Sequence, residues 1–419
     1  MALGLCAAVP ACMNAQTSHP AHSDRSVEVL FNSMADSLKV YKAMNVNSPA
    51  AFDVSDAPRF AFVGKDNKFY VGVGATIKGT AGFDFGDPIT NPNYFTTSAI
   101  NMHPAPGNGG KFSLSAQQSS VFLNIVALPD NPNKIGLYVS ANLLGAGYGF
   151  NLQYAYLRYR GFEVGYDYTL FADMAAGVPT IDYEGPNSFT SIPTTVLNYR
   201  HTFGKKWSVG LGVETPIASY TPGTKAQTVS QRVPDVPAYV QYAWKEGSWL
   251  RFSAIMRNIA YRDLLTGDNR DKPCWGIKLS GSAEIVPNLR AYYQGAFGYG
   301  ITSYFQDLYG DGLDLTPSTT TPGHLDAVKA WGAYGGLQYN FSPQVYCSAT
   351  YSHLRNYAKK FDGDWGGMYR YGQYFVANVF YNINSWLTWG VEYLYGRRVN
   401  MDGAQEHDNR LQTMLQISL

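Results

Sequence analysis

The chain has 419 residues and is poor in charge: Asp, Glu, Lys and Arg make up 15%, against roughly a quarter in an ordinary soluble domain. An aromatic fraction of 15%, with 32 tyrosines, excludes intrinsic disorder, and a net charge of +1 argues against a nucleic-acid binder. Mean hydropathy is −0.20 and no apolar run reaches about 18 residues, so no membrane-spanning helix is expected. What remains is a Tyr/Gly-rich chain of many short segments. That composition suits a transmembrane β-barrel, apolar outside and wet within.

Residues 1–16 (MALGLCAAVPACMNAQ) carry a short apolar core and small residues near Ala15, like the end of a secretory signal peptide. The basic start of such a peptide is missing, since the first basic side chain other than histidine is Arg25, so the leader reads as truncated. A lipid-attachment role for Cys6 or Cys12 is the alternative. Residues 24–45 read as a helix: Val27, Phe31, Met34, Leu38 and Tyr41 recur with the spacing of a coiled-coil seam, and Asp24 suits the N-cap. Two uses stand open, an amphipathic helix lying on its own chain or a periplasmic oligomerisation helix. Residues 46–67, with Pro49 and Pro58, read as linker.

From residue 68 to 419 the chain alternates with period two, and sixteen strands are expected. Their connections sort by parity. Tight turns such as 160–161, 204–205, 246–247 and 383–384 alternate with polar loops such as 83–111, 173–193, 216–235, 303–327 and 356–369. Outer-membrane barrels have this pattern, with short periplasmic turns and long outward loops. A soluble sandwich has no reason for it. The fold class is therefore all-β, a transmembrane antiparallel barrel of about sixteen strands with a short N-terminal helix.

A barrel of that width leaves an aqueous channel that passes small hydrophilic solutes. Inward parity selects the pore-lining candidates Lys78, Arg200, Arg251, Arg257, Lys278, Arg290, Arg398 and Arg410, with the acids Glu163, Asp167, Glu214, Glu284 and Glu392. The modest basic excess predicts a mild anion preference. Loop 173–193, carrying Asp173, Asp182 and Glu184, is one candidate constriction; loop 303–327 is the other. The run from Asp307 to Asp314 lacks the twelfth-position Glu of a calcium loop, so no metal or cofactor is expected. Cys274 and Cys347 read as a pair or as two lone thiols. Neither HExxH nor GxSxG occurs, which argues against an enzyme, and a non-conducting adhesin or scaffold barrel is the rival reading.

A series of short motifs runs in order along the chain. It includes FSLSAQQSS (112–120), NLQYAY (151–156), GYDYTLFAD (165–173), VPTIDYEGP (178–186), RVPDVPA (232–238), GYGITSYFQDL (298–308) and GRRVNMDGAQEHDNRL (396–411). Together they resemble the DcaP-like porins of Gram-negative outer membranes. That resemblance implies sixteen strands, a homotrimer, an N-terminal periplasmic coiled coil, surrounding lipid and lipopolysaccharide, and passage of small anions such as dicarboxylates. Arg200, Arg257, Arg398 and Arg410 fall at motif positions retained from the family. Ser120, Asn151 and Gln153 stand where its members tend to carry arginine, and Leu419 replaces the usual terminal phenylalanine.

Overall fold

The computed structural model describes residues 27–31, 37–45, 47, 58, 60–64, 67–87, 89, 91–107 and 109–419. The signal-peptide reading of residues 1–16 and the seam residue Met34 lie outside them. Strands β1 (Val27–Phe31) and β2 (Phe60–Gly64) flank helix α1 (Ser37–Asn45). The main sheet then takes β3 (Phe69–Asp84), β4 (Lys111–Ser115), β5 (Ser120–Ala127), β6 (Ile135–Gly145), β7 (Gly149–Tyr159), β8 (Phe162–Tyr168), β9 (Pro193–Phe203) and β10 (Trp207–Glu214). After the short β11 (Ala226–Thr228) come β12 (Val236–Lys245), β13 (Ser248–Asp263), β14 (Asn269–Val286) and β15 (Leu289–Tyr299). The pair β16 (Leu315–Pro317) and β17 (Leu325–Ala327) sits in a loop. The chain ends with β18 (Lys329–Asn340), β19 (Val345–Asn356), β20 (Tyr369–Asn382), β21 (Leu387–Asn400) and β22 (Gln405–Ser418).

Every consecutive pair of barrel strands is antiparallel, and β22 returns to β3, closing a sixteen-stranded barrel in which β4 and β5 together fill one position. Closure follows from the solvent: inside lipid an unpaired backbone N–H or C=O has no water to turn to, so no edge is left open. The outward face matches. One cross-strand row reads Leu337, Ala349, Ala377, Tyr393, Leu411, Phe83, Phe112 without a polar side chain. Tight turns take the backbone they need: Arg160 and Gly161 both have positive φ (48° and 84°), the hairpin geometry that follows the twist of the strands. The 262–273 loop shrinks to 264–268, because β13 and β14 continue their ladder through Arg270, Asp271, Lys272 and Pro273. Above the lipid both faces are wet, so alternation stops marking the strand there.

The N-terminal segment departs from expectation. Among the described residues, 24–45 do not form one helix: Val27–Phe31 pairs as a strand with β2, and Ser37–Asn45 is helical. Of the expected coiled-coil seam, Val27 and Phe31 thus stand on a strand while Leu38 and Tyr41 stand on the helix, and the expected linker contains a strand. The stagger of the barrel supplies the cause. Strand β22 covers β3 only from Thr76 to Asp84, which leaves the lower edge of β3 bare, and β2 pairs with it from Tyr70 to Val73. Strand β1 then covers β2, and an open edge is a stronger template than a two-heptad seam. Leu30, Ala43, Met44, Ala61, Val63, Tyr70 and Val126 make a small core against the inner face of this extension. Among the described residues no helix is long and apolar enough to cross a membrane.

The closing seam carries a buried ion pair between registered partners. Arg410 Nε donates to Asp84 Oδ1 at 2.5 Å and Nη2 to Oδ2 at 3.2 Å, with both side chains almost fully buried. Removing one partner of such a pair leaves an uncompensated charge, at about 3–5 kcal/mol. Arg410→Ala is therefore expected to lower the temperature at which heat-modifiable gel mobility is lost, and Asp84→Asn/Arg410→Gln to recover part of it. An unchanged transition in Arg410→Ala would refute a seam role for this pair.

Candidate functional site

The connection 169–192 between β8 and β9 does not project into solvent. It turns into the barrel, where Leu170, Phe171, Ile181, Phe189 and Ile192 are buried. The opposite wall holds it through its inward polar parity. Tyr334 Oη donates to the carbonyl of Ala176 (2.8 Å), and Asn378 Nδ2 and Ser348 Oγ donate to that of Pro179 (2.8 and 3.1 Å). The Glu392 carboxylate accepts the consecutive N–H groups of Ile181 and Asp182, both at 2.8 Å, while Lys78 Nζ donates to the Ile181 carbonyl at 3.0 Å. Further on, Ser188 and Ser352 share a 2.8 Å hydroxyl contact and Lys278 Nζ donates to Thr190 Oγ1 (3.1 Å). The wall from β14 to β21, with Lys78 of β3, is thus a series of hydrogen-bonding positions for one loop.

Two other loops join it. In 300–328, Asp314 reaches Arg257 Nη1 (3.3 Å), and Arg257 Nε donates to Asp235 (2.9 Å). Tyr304 Oη bridges Glu214 (2.6 Å) and Asp235 (2.7 Å) beneath the Arg257 guanidinium, which lies 4.7 Å from the ring centroid. In the loop after β3, Thr97 donates its N–H and hydroxyl to Asp307 (2.6 and 2.7 Å), and Thr96 donates to Glu184. Both expected constriction loops therefore turn inward, and they meet a third.

All twelve charged pore-lining candidates of β8 to β22 face the interior, as parity predicts. Seven of them do not meet water: Arg257, Lys278, Arg410, Glu163, Asp167, Glu214 and Glu392 are at most 4% exposed, because loops or neighbouring charges cover them. Arg200, Arg251, Arg290, Arg398 and Glu284 are half-buried. Arg251 stacks 4.0 Å over Tyr239 and donates to the Ala172 carbonyl (2.9 Å), Arg398 holds the Gly367 carbonyl (3.2 Å), and Glu284 pairs with Lys245. The constriction acids also turn away from the lumen. Asp173 accepts from Trp249 Nε1 (3.1 Å) and Ser280 Oγ (2.8 Å), Asp182 from Phe95 N and Tyr374 Oη (both 3.0 Å), and Glu184 is buried beside Thr96. Alternation reports which way a side chain points, not what comes to lie on it. Cys274 and Cys347 are separate free thiols.

Two cavities open at the tight-turn end. The larger, about 760 Å³, lies under the loop and is lined by Lys78, Thr180, Gln338, Tyr346, Thr388 and Gln416 among others, with no carboxylate. The smaller, about 380 Å³, is lined by Lys134, Arg158, Arg160 and Arg200 against Glu163. Arg158 was not among the candidates, although it shares inward parity with Tyr156, and it pairs with Glu163 at 2.6 Å. Asn47, from the expected linker, borders the same cavity. Its Nδ2 donates to Asn124 Oδ1 (2.9 Å) and its carbonyl accepts from Tyr156 Oη (2.6 Å), so the N-terminal segment lies inside the barrel mouth. Gly136 makes room for it, since a Cβ there would fall 2.1 Å from Asn47 Oδ1.

A closed sixteen-stranded barrel with an apolar belt, and with a lumen narrowed by inward-folded loops, is the architecture of an outer-membrane channel of the porin class. The chain belongs to the porin subfamily, whose family model matches residues 124–414, and its place is the outer membrane of a Gram-negative bacterium. Among solved structures it is similar to the outer membrane channel DcaP of Acinetobacter baumannii, with 16% identity and a TM-score of 0.70 over 85% of this chain and 99% of that one. It is also similar to OmpT of Vibrio cholerae (11% identity, TM-score 0.53, 85% and 100% covered) and to an anion-selective porin from Comamonas acidovorans (11%, 0.52, 84% and 100%). No curated protein matches it in sequence.

The loop acids make docking pH-dependent. Burial, then the neighbouring Glu392, pushes the Asp182 carboxyl up to about 6; burial pushes Asp307 up to about 7 and Glu184 well above the usual carboxylate range. A group with a raised carboxyl pKa takes up its proton more readily when docked, so docking is favoured at low pH. It weakens as pH rises from about 4, the ordinary value, through 6 and 7. Single-channel records at pH 5 are expected to be quiet, with loop-opening fluctuations growing towards pH 8. Records that grow noisier on acidification would contradict this sign.

Proposed function

We propose that this porin allows passive diffusion of small hydrophilic solutes with a mild preference for anions, dicarboxylates among them, and that it works as a homotrimer delivered by a signal peptide. The observation that carries the anion preference is the charge of the two cavities. One holds Lys78 and no carboxylate, and the other holds four cations against Glu163. Acids that would offset them, Asp173, Asp182 and Glu184, are buried against the wall or the loop after β3. In the smaller cavity three guanidinium groups and Lys134 outnumber Glu163, the one carboxylate among its lining residues, and wall charge sets selectivity in a wide pore. The trimer form of OmpT of Vibrio cholerae, a protein with this fold, supports the oligomeric reading.

Planar-bilayer recording across a KCl gradient tests the proposal. The expected result is ohmic conductance with a reversal potential displaced towards chloride. Arg200→Ala, which removes a half-exposed cation from the smaller cavity, is expected to cut the anion-to-cation permeability ratio roughly twofold, the scale of ~0.5 kcal/mol at a solvated site. Arg257→Ala, in a covered ion pair, should leave the ratio unchanged while lowering stability. Absence of conductance would favour a scaffold or adhesin barrel, and an effect of Arg257 with none of Arg200 would refute the assignment of the selective charges.

A further inference from the structure

Up the outward face of β18 and β19, the side chains change in layers. Leu337 and Ala349 belong to the apolar row, and Tyr351 stands above them. Above that, His353 stacks on Trp331 (ring centroids 5.1 Å apart) and on Tyr371 (5.4 Å). At the long-loop rim Trp331 is registered with Arg355, and Arg355 with Tyr371 of β20. Lys329, two positions on, completes the rim. Neither cation has a carboxylate or hydrogen-bond acceptor among the described residues. Arg355 lies over the rings of Tyr357 (4.8 Å) and Tyr371 (5.7 Å), and its Nε is unsatisfied. Lys329 Nζ lies 4.3 Å over the Tyr357 ring. Across β18–β22 no carboxylate stands on the rows of Arg355 or His353, and Arg397 adds a third cation, held among the described residues by the amide oxygens of Gln373 and Gln405.

Height identifies what faces these groups. Phe341, at the tight-turn end of the same face, and Trp331 lie ~33 Å apart along the strand at ~3.3 Å per residue. A tilt of ~40° turns that into ~25 Å along the membrane normal, the height of the apolar band of an outer-membrane barrel. Lys329 and Arg355 therefore stand where hydrocarbon gives way to headgroups, on the side of the long, outward loops. A cation left without a counter-ion at that depth is poorly solvated by lipid tails and is complemented by a phosphate oxygen.

We infer that the outward rim formed by Lys329 and Arg355, flanked by Tyr357 and Arg397, is a binding site for the phosphate of an outer-leaflet phosphorylated glycolipid. The aromatic rings hold the two cations in place, so little side-chain freedom is lost when the headgroup docks. The site rests on the outer-membrane assignment and not on conduction: a barrel that passes no ions would still bind the lipid, so the two readings fail separately.

The test counts lipid retained by the purified full chain in neutral detergent, using native mass spectrometry with bis-phosphorylated lipid A, dephosphorylated lipid A or inorganic phosphate. Retention of the bis-phosphorylated lipid alone is expected. Lys329→Ala/Arg355→Ala should bind it about tenfold more weakly, as the loss of charge-assisted contacts implies, while keeping its heat-modifiable mobility and single-channel conductance. Arg355→Gln, which keeps most of the side-chain bulk, should lose part of the affinity and guards against misfolding of the double variant. Equal retention of the phosphate-free lipid, unchanged affinity in both variants, or binding of inorganic phosphate without any preference for the lipid would overturn the site.

Discussion

The structure depends on one constraint: a backbone in lipid must satisfy its own hydrogen bonds, and with sixteen strands the only way is a closed cylinder. Closure by β22 on β3 removes the edges, but it leaves two residues of geometry to be managed. The stagger of the strands exposes the lower edge of β3, and the width of the cylinder leaves a lumen too large for side chains to fill. The N-terminal strands answer the first, and the inward loops answer the second. Both solutions use polar contacts to backbone, since neither water nor hydrocarbon can hold a loop carbonyl in one place.

The interior therefore has a division of labour among charges of one parity. Glu392, Lys78 and Lys278 hold loop 169–192 against the wall, and Arg257 with Asp235 and Asp314 holds loop 300–328. Charges that no loop covers, such as Arg158 and Arg200, remain beside the cavities. In the proposed function selectivity rests on the uncovered set and pore shape on the clamped set, with Lys78 serving both, since it holds the Ile181 carbonyl and lines the larger cavity. Substitution of Arg200 is then expected to move a different observable from substitution of Arg257.

Much of the fold was legible because lipid imposes period two wherever it touches the chain, as from Trp331 to Phe341, and because tight turns need glycine or a residue tolerant of positive φ. Legibility stopped where that pressure stops. The ladder through Arg270 to Pro273 stands above the membrane and carries no alternation. The strand Val27–Phe31 was hidden because its valines and phenylalanine fit a heptad as well as a pleat, and only the bare edge of β3 decides between them. Inward direction was readable for Arg257 and Arg410; their burial was not, because the covering residues are distant in sequence and enter with loops that have no period: Asp314 and Tyr304 over Arg257, and Pro92, whose carbonyl accepts from Arg410 Nη1 at 2.9 Å. Arg158 is the opposite case, readable from the parity of β7 and overlooked beside its partner Glu163.

The shape of the pore depends on loop 169–192 staying fixed to the inner wall. The most direct measurement uses Ser188→Cys/Ser352→Cys, placed where the two hydroxyl oxygens lie 2.8 Å apart. On oxidation with a disulfide donor at pH 7, where some thiolate is present, the pair is expected to cross-link, and single-channel conductance recorded at pH 5 to stay unchanged. A pair that does not cross-link, or a conductance that changes when the loop is locked, would contradict the account.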